Sequence, residues 1–440
     1  MFTKSLIPAL VRGLGIVLVG LLASAQAQAG LKIQQWQTSR GAEVYFVENH
    51  DLPIIDISTN FYAGSARDDA AKPGVAGLTR HVMTLGAAGL SDEKISKQFA
   101  DVGAQLGGGV DDDKASFKLR TLSSEREQAK ALDLYIKILQ KPDFPADVLA
   151  REKARVIAGL KEAATQPETI ADKAYTKALF GSHPYGFDAE PEDIEKIDRY
   201  DLQKFYSMHY GAQGAVIALI GDMSREQAAQ IAERIALDLP KADKPAALPD
   251  VGYPAAANEQ RISHPATQAH ILMGYPGMKR GDPDFFPLYV GNYILGGGGF
   301  VSRLTEEVRE KRGLVYSVYS YFMPMEALGQ FQIGLQTKRE QADAALGLVR
   351  ETLDKFMKEG VTEAELKAAK QNLVGGFPMR IDSNGKILDY LALIGVYKLP
   401  LDYLDSFNDN VNKVTAAQVK EAFNRRIQTD KMVTVIVGGE

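Results

Sequence analysis

Six histidines and no cysteine limit what this chain can do with a metal or a nucleophile. Without cysteine it has no disulfide, no cysteine-based zinc site and no thiol nucleophile. His50, His81, His183, His209, His264 and His270 contain no pair at the i, i+4 spacing that sets two imidazoles on one helix face. No Ser-His-Asp arrangement can be assigned. Gly296-Gly297-Gly298-Gly299 lacks the following Lys-Ser/Thr of a phosphate loop. It reads as a flexible loop, a close backbone approach or a hinge. Asp111-Asp112-Asp113 lacks calcium-loop spacing and reads as a turn.

The elements that must position such residues are mixed. Apolar, β-rich runs predict strands at Glu43–Val47, Ile54–Phe61, Ala215–Ile220 and Met432–Val437. Helical spacing predicts helices over Gly74–Leu85, Ser91–Val102, Arg126–Gln140 and Ala342–Lys358. Hairpin-like strand pairs stand beside helices, which suits an α+β fold with mainly antiparallel sheets better than a regular βαβ repeat.

The pattern also repeats. FKLRTLSSEREQAKAL from Phe117 corresponds to FQIGLQTKREQADAAL from Phe331. FPADVLAREKARVIAGL from Phe144 corresponds to VTEAELKAAKQNLVGGF from Val361. Matches in one order at a nearly constant offset point to duplication. Pro240, Pro245, Pro249 and Pro254 mark an extended linker. The expected plan is therefore a first half over 30–239, a linker over 240–260 and a second half over 261–440. Each half is expected to hold two similar α/β subdomains.

Length and composition agree with several packed cores: 440 residues, 45% of them hydrophobic. The net charge of −5, with no strongly basic stripe, argues against a nucleic-acid partner. Lys4 and Arg12 precede an apolar run, Leu14 to Ala25, and then Ala25-Gln26-Ala27-Gln28-Ala29. That order predicts a secretory signal peptide over 1–29. The run of about 12 apolar residues falls short of the roughly 20 a membrane span needs, so no stable membrane insertion is expected.

PGVAGLTRHVMTLG (Pro73 to Gly86), GSHPYG (Gly181 to Gly186) and VREKRGLVYSVYS (Val308 to Ser320) resemble the pitrilysin/insulinase family, which includes the mitochondrial processing peptidases. The resemblance covers roughly residues 31 to 440. Active members carry His-x-x-Glu-His on the first of these segments: two zinc ligands and the glutamate that activates water. Here those positions read Gly77, Leu78, Thr79, Arg80 and His81. Glycine offers no donor atom, and arginine at the general-base position is a fixed cation. The family's third ligand falls on Gly159, or Ala158 with a one-residue shift. No metal is therefore expected in this chain.

The second half keeps what the first has lost. The resemblance maps the family's substrate-binding arginine and tyrosine onto Arg309 and Tyr316. An arginine fork suits a carbonyl oxygen, and a phenol can donate to a developing oxyanion. On their own, without the resemblance, the two residues read as a solvated helix arginine and a packed strand tyrosine. The family places the Gly297, Gly298 and Gly299 loop near the peptide path, so it could bind or gate substrate. Gly107-Gly108-Gly109 stands where active members have Asn-Ala on a substrate-pairing edge strand.

The resemblance implies a non-catalytic subunit of a heterodimeric zinc metallopeptidase. Its partner would carry His-x-x-Glu-His and the zinc. The two would meet as half-shells of a clamshell and act on peptides or unfolded polypeptide, with the bacterial periplasm as the compartment. The rival expectation is a structural or peptide-binding homologue with no hydrolytic role.

Overall fold

The computed structural model describes residues 31–438, so the expected signal peptide lies outside the described residues. Among those residues no helix is long and apolar enough to cross a membrane. Two sheets organise the chain. The first contains β1 (Gln34–Gln37), β2 (Glu43–Glu48), β3 (Ile54–Phe61), β6 (Gln105–Gly107), β7 (Ala115–Leu122) and β8 (Val216–Gly221), in the order β1-β2-β8-β3-β7-β6. The second contains β9 (Asn258–Ile262), β10 (Gln268–Pro276), β11 (Val315–Phe322), β12 (Gln330–Lys338) and β13 (Val433–Val437), in the order β11-β12-β10-β13-β9. A short hairpin of β4 (Gly86–Ala87) and β5 (Leu90–Ser91) follows the helix Val75–Met83.

The sheets repeat one topology. Read from the other edge, β9-β13-β10-β12-β11 matches β2-β8-β3-β7-β6, and β1 is an addition to the first. The directions agree as well. β2 with β8 and β9 with β13 are the parallel pairs. The pairs β3–β7 and β10–β12 are antiparallel. The duplication read from the sequence is thus a repeated sheet. The similar α/β units are the halves themselves, one sheet each, rather than two subdomains within each half.

The halves exchange a helix. Pro167–Phe180, from the first half, packs on β10 and β13 of the second sheet. Asn384–Tyr397, from the second half, packs on β8, β3 and β2 of the first. The two helices are themselves repeat mates: Asn384 follows Pro167 at the same offset by which Val361 follows Phe144. Missing side chains make the close approach possible. A Cβ on Gly395 would stand 2.4 Å from Val216 and 2.7 Å from the Tyr45 ring, and one on Gly274 would stand 1.8 Å from the Tyr175 hydroxyl. With a helix on that face and the other helices opposite, β8 is buried at every residue, VIALIG. A strand covered on both faces loses the polar–apolar alternation of a half-exposed one.

The proline-rich stretch between the halves has no regular structure from 240 to 257, and β9 opens at Asn258, slightly inside the expected linker. It is tied down at named points. The Arg67 Nη1 donates to Ala246 O at 2.6 Å, and the His183 ring meets Pro249 O at 2.9 Å.

Candidate functional site

The helix Val75–Met83 is held at its start by Asp68. Its buried carboxylate accepts from Gly74 N and Ala76 N, both at 2.7 Å. Burial pushes the Asp68 carboxyl up to about 6, against the pull of those two bonds. That helix carries Gly77, Arg80 and His81. A Cβ built on Gly77 meets nothing within 4 Å, and the same holds at Gly159 on the helix Ala146–Ala163. Two of the mapped ligand positions are therefore bare backbone beside open space. Among the described residues no group of three or more His, Asp or Glu side chains could hold a metal ion.

His81 keeps a partner that the sequence reading did not single out. Its Nε2 lies 3.1 Å from Glu152 Oε2, on the helix Ala146–Ala163. Glu152 is buried, with Arg151 and Arg155 also bonded to it. Burial raises its carboxyl, but the Arg151, His81 and Arg155 bonds prevail and lower it to about 2. Glu152 precedes Gly159 by two helical turns along the same face. That spacing was the available signal. His81 is thus an oriented helix histidine in an ion-pair cluster.

Arg80 is absorbed into the structure. Its Nε donates to Ser116 O at 3.2 Å, its Nη2 donates to Gly107 O at 2.6 Å, and its guanidinium lies 5.0 Å from the centre of the Phe117 ring. It thus ties its helix to β7 and to the edge strand β6. Gly108 must be glycine here: its φ is +101°, and a Cβ would stand 2.2 Å from Ser116 O. The second half has the same tie. Asn292 Nδ2 donates to Ser320 O on the edge strand β11 at 3.0 Å, and Ser320 Oγ donates to Asn292 Oδ1 at 2.7 Å. Asn292 follows Arg80, and Ser320 follows Gly107, at offsets that agree to within one position. Arg80 in the first half thus does what the structural Asn292 does in the second.

Arg309 and Tyr316 face one groove beside the edge of the second sheet. The groove, of about 520 Å³, is lined also by Gln268, Gln336 and Gln341, and none of its lining residues comes from the first half. Tyr316 is the extra residue of a β-bulge: Val315 pairs with Thr337 and Ser317 with the next residue, Gln336. The bulge turns Tyr316 outward, 79% exposed. Arg309 sits in a π-helical turn, Thr305–Glu310, with its guanidinium 4.9 Å from the centre of the Phe300 ring. Bulges and π-turns both re-aim side chains and recur at functional sites. The neighbouring Arg312 is engaged elsewhere, donating to Glu307 Oε2 at 2.9 Å and to Glu307 O at 3.1 Å.

Close approach explains much of the glycine run. A Cβ on Gly296 would stand 2.5 Å from Ser320 Oγ, one on Gly297 2.7 Å from Asn292 Nδ2, and one on Gly298 2.7 Å from Tyr293 O. Gly299 takes the left-handed conformation at φ +62°. The side chains this loop presents to solvent are Phe300 and Val301, both exposed, and the sequence reading missed them.

Asp113 is more than a turn residue. It is buried and accepts from Tyr185 Oη at 2.6 Å, Tyr397 Oη at 2.7 Å and Glu326 N at 2.9 Å. Two of these donors come from the second half. In the GSHPYG segment, His183 Nδ1 accepts from Tyr185 N, so Nε2 carries the proton donated to Pro249 O. Burial pulls this imidazole's pKa down, in keeping with a neutral ring.

Comparison with known proteins places these features. The insulinase (peptidase family M16) pattern matches residues 44–189, and the peptidase M16 inactive-domain pattern matches residues 196–373. The crystal structure of a peptidase M16 inactive domain from Pseudomonas fluorescens is 40% identical, with a TM-score of 0.90, over 93% of this chain and 99% of that one. A Helicobacter pylori protein named non-peptidase homolog YmxG is 25% identical over 96% of this chain and 98% of its own length. A Bacillus subtilis protein named uncharacterized zinc protease YmxG is 23% identical over 92% of this chain and 98% of its own. With family patterns matched in both halves and a solved relative 40% identical over 93% of the chain, the chain belongs to the insulinase family, peptidase family M16.

Proposed function

We propose that this chain is the non-catalytic subunit of a two-subunit zinc peptidase, lending Arg309 and Tyr316 to an active site whose zinc lies in a partner bearing His-x-x-Glu-His. The carrying observation is the asymmetry between the halves. The first half has glycine at Gly77 and Gly159 and a structural arginine at Arg80. The second half turns Tyr316 into a groove beside Arg309, and among the described residues no hydrogen bond engages the phenol. A hydroxyl on a bulge, 79% exposed next to a guanidinium, serves no packing need of its own. It suits a donor to the backbone or oxyanion of a bound peptide. The exposed Phe300 and Val301 beside the groove would meet the partner or the peptide.

A second reading has its own support. The Helicobacter pylori relative is named a non-peptidase homolog, which favours a structural or peptide-binding role without hydrolysis. One experiment divides the two. The mature chain is purified alone and mixed with a zinc-bearing family member from the same cell. Peptide hydrolysis by the mixture, with and without chelator, is compared with that of each chain. Activity that neither chain has alone supports the shared site. A partner that is fully active alone and unaffected by this chain rejects it.

A further inference from the structure

A second cavity lies in the second half, apart from the Arg309–Tyr316 groove and sharing no lining residue with it. Its volume is about 450 Å³. Its walls come from the helix Phe285–Asn292, the end of β11, the exchanged helix Asn384–Tyr397 and the helix Tyr403–Lys413. The apolar part is aromatic: Phe285, Tyr289, Tyr403 and Phe407. Two cations face it, Arg280 and Arg380.

The duplication shows what is unusual about Arg280. Tyr62-x-Gly64-x-x-Arg67 recurs as Tyr275-x-Gly277-x-x-Arg280, at the offset that separates Gly107 from Ser320. In the first half Arg67 is neutralised: its Nη2 lies 3.1 Å and 3.2 Å from the two Glu326 carboxylate oxygens. Arg280 has no such anion among the described residues. Its guanidinium lies 5.4 Å from the centre of the Tyr397 ring, and its Nε, like that of Arg67, is buried without a hydrogen-bond partner, so the difference between the two is the missing anion. Arg380 likewise rests on a ring, 5.7 Å from the centre of Tyr289. Among the described residues, Asp389 is the one carboxylate lining the cavity, and it pairs with Lys118 of β7. Both guanidiniums act on Tyr403, whose phenol burial raises to about 12 while the two cations oppose the rise. The cavity therefore holds two positive charges without a matching negative one. Arg380 is exposed at the mouth, whereas Arg280 is partly buried; an unpaired, partly desolvated guanidinium such as that of Arg280 is costly, and a planar carboxylate is its natural complement.

We propose that this cavity binds a carboxylate carried on an aromatic or bulky aliphatic body, with Arg280 and Arg380 on the carboxylate and Phe285, Tyr289 and Phe407 against the apolar part. A volume of about 450 Å³ suits a ligand of one or two residues. A bare inorganic anion would leave the aromatic walls unused, and a neutral apolar ligand would leave the cations unmet. The same chemistry has two sources: the C-terminal residue of a peptide, or a free aryl-alkanoic acid. The proposal does not depend on the Arg309–Tyr316 reading.

The test is calorimetric titration of the mature chain with N-acetyl-phenylalanine, its amide, and a tetrapeptide ending in phenylalanine. The acid is expected to bind, and the amide at least about tenfold more weakly, because it cannot make the charge-assisted bonds. Arg280→Gln should weaken the acid by a similar factor. Leu393→Trp, which fills the cavity and leaves both arginines, should abolish binding while circular dichroism reports an unchanged fold. Tetrapeptide binding at least as tight as the acid's assigns a peptide terminus; exclusion of the tetrapeptide assigns the free acid. Equal binding of acid and amide, unweakened binding in folded Arg280→Gln, or no binding of the acid at millimolar concentration would overturn the proposal.

Discussion

Arg80 Nη2 donates to the carbonyl of Gly107 at 2.6 Å, binding the helix Val75–Met83 to the edge of the sheet. The tie does not stand alone. Gly108, at φ +101°, lets the edge strand come close enough to be held, and Asn292 makes the matching tie in the other half. Arg80 thus acts as a strut between its helix and the sheet edge. Arg80→Ala should then destabilise the chain by about 2 kcal/mol, since it removes two hydrogen bonds from a charged donor and leaves two carbonyls to find other partners. Urea unfolding measures it. A change within about 0.5 kcal/mol would mark Arg80 as an ordinary surface residue.

The hollow beside the strut gives the opposite sign. Gly77, in the first turn of its helix, and Gly159, in a helix interior, would each carry an added Cβ that touches nothing within 4 Å. Gly77→Ala and Gly159→Ala should each stabilise the chain by about 0.5–1 kcal/mol through helix propensity alone. Thermal unfolding decides this. Destabilisation by either would show that the space is needed for packing.

Glu152 sets an acid limit. Its folded-state carboxyl, lowered to about 2 by Arg151, His81 and Arg155 against the cost of burial, lies below the ordinary value of 4.5. A depressed carboxylate contributes stability that is fully present above its unfolded pKa. That contribution is lost as pH falls through the folded one. Wild-type stability should therefore decline between about pH 4.5 and 2. Glu152→Gln should be less stable at pH 7 and show a shallower decline across that window. Parallel curves for the two proteins would remove Glu152 from the account.

Asp113 joins the halves, and its removal should loosen them. Asp113→Ala leaves the Tyr185 and Tyr397 hydroxyls and the Glu326 amide without their acceptor, at a cost of about 3 kcal/mol or more. Tyr397→Phe, which removes one donor and leaves the carboxylate its other two, should cost about 1 kcal/mol. Limited proteolysis gives a second readout, because the 240–257 segment is pinned near the same joint by Arg67 and His183. Faster cleavage there in Asp113→Ala, at a temperature where global unfolding is negligible, is the expected result.

Much of this architecture was legible in the sequence. The strands at Glu43, Ile54, Ala215 and Met432 fell within a residue of their predicted starts, because β-branched apolar runs bounded by polar turns have few other uses. The repeat was legible for the same reason: both halves bury the same periodic faces. The helix exchange was not. It depends on Gly395 and Gly274 admitting a neighbour from the other half, and an isolated glycine does not say what approaches it. Asp113 was hidden in a run of three acids whose local pattern is that of a turn. Its role depends on Tyr397, far along the chain in the other half. The site divided likewise. A missing donor at Gly77 can be read directly, whereas the orientation of Tyr316 depends on a bulge set by the register of β11 against β12.

The last prediction concerns that bulge residue and its neighbour in an active two-subunit enzyme. Arg309→Ala and Tyr316→Phe should each lower turnover while leaving folding and assembly intact. The groove lies at the sheet edge, and Tyr316 is 79% exposed, so its hydroxyl contributes little to the core. Loss of a donor aimed at an oxyanion typically costs on the order of 10²–10³ in kcat. A donor that only grips the ground-state backbone would instead raise KM at constant kcat. Tyr316→Phe is the cleaner probe, because it deletes one hydroxyl and keeps the ring. Arg309→Ala also frees Phe300, whose ring sits 4.9 Å from the guanidinium, so Arg309→Lys is needed to separate charge from stacking. Arg312→Ala is the control: its guanidinium is held by Glu307, and its loss should leave kcat and KM unchanged. Steady-state kinetics on the four variants, with size-exclusion profiles to confirm assembly, read the answer. Wild-type constants in both Arg309→Ala and Tyr316→Phe would return the pair to a structural role and leave the non-hydrolytic reading standing.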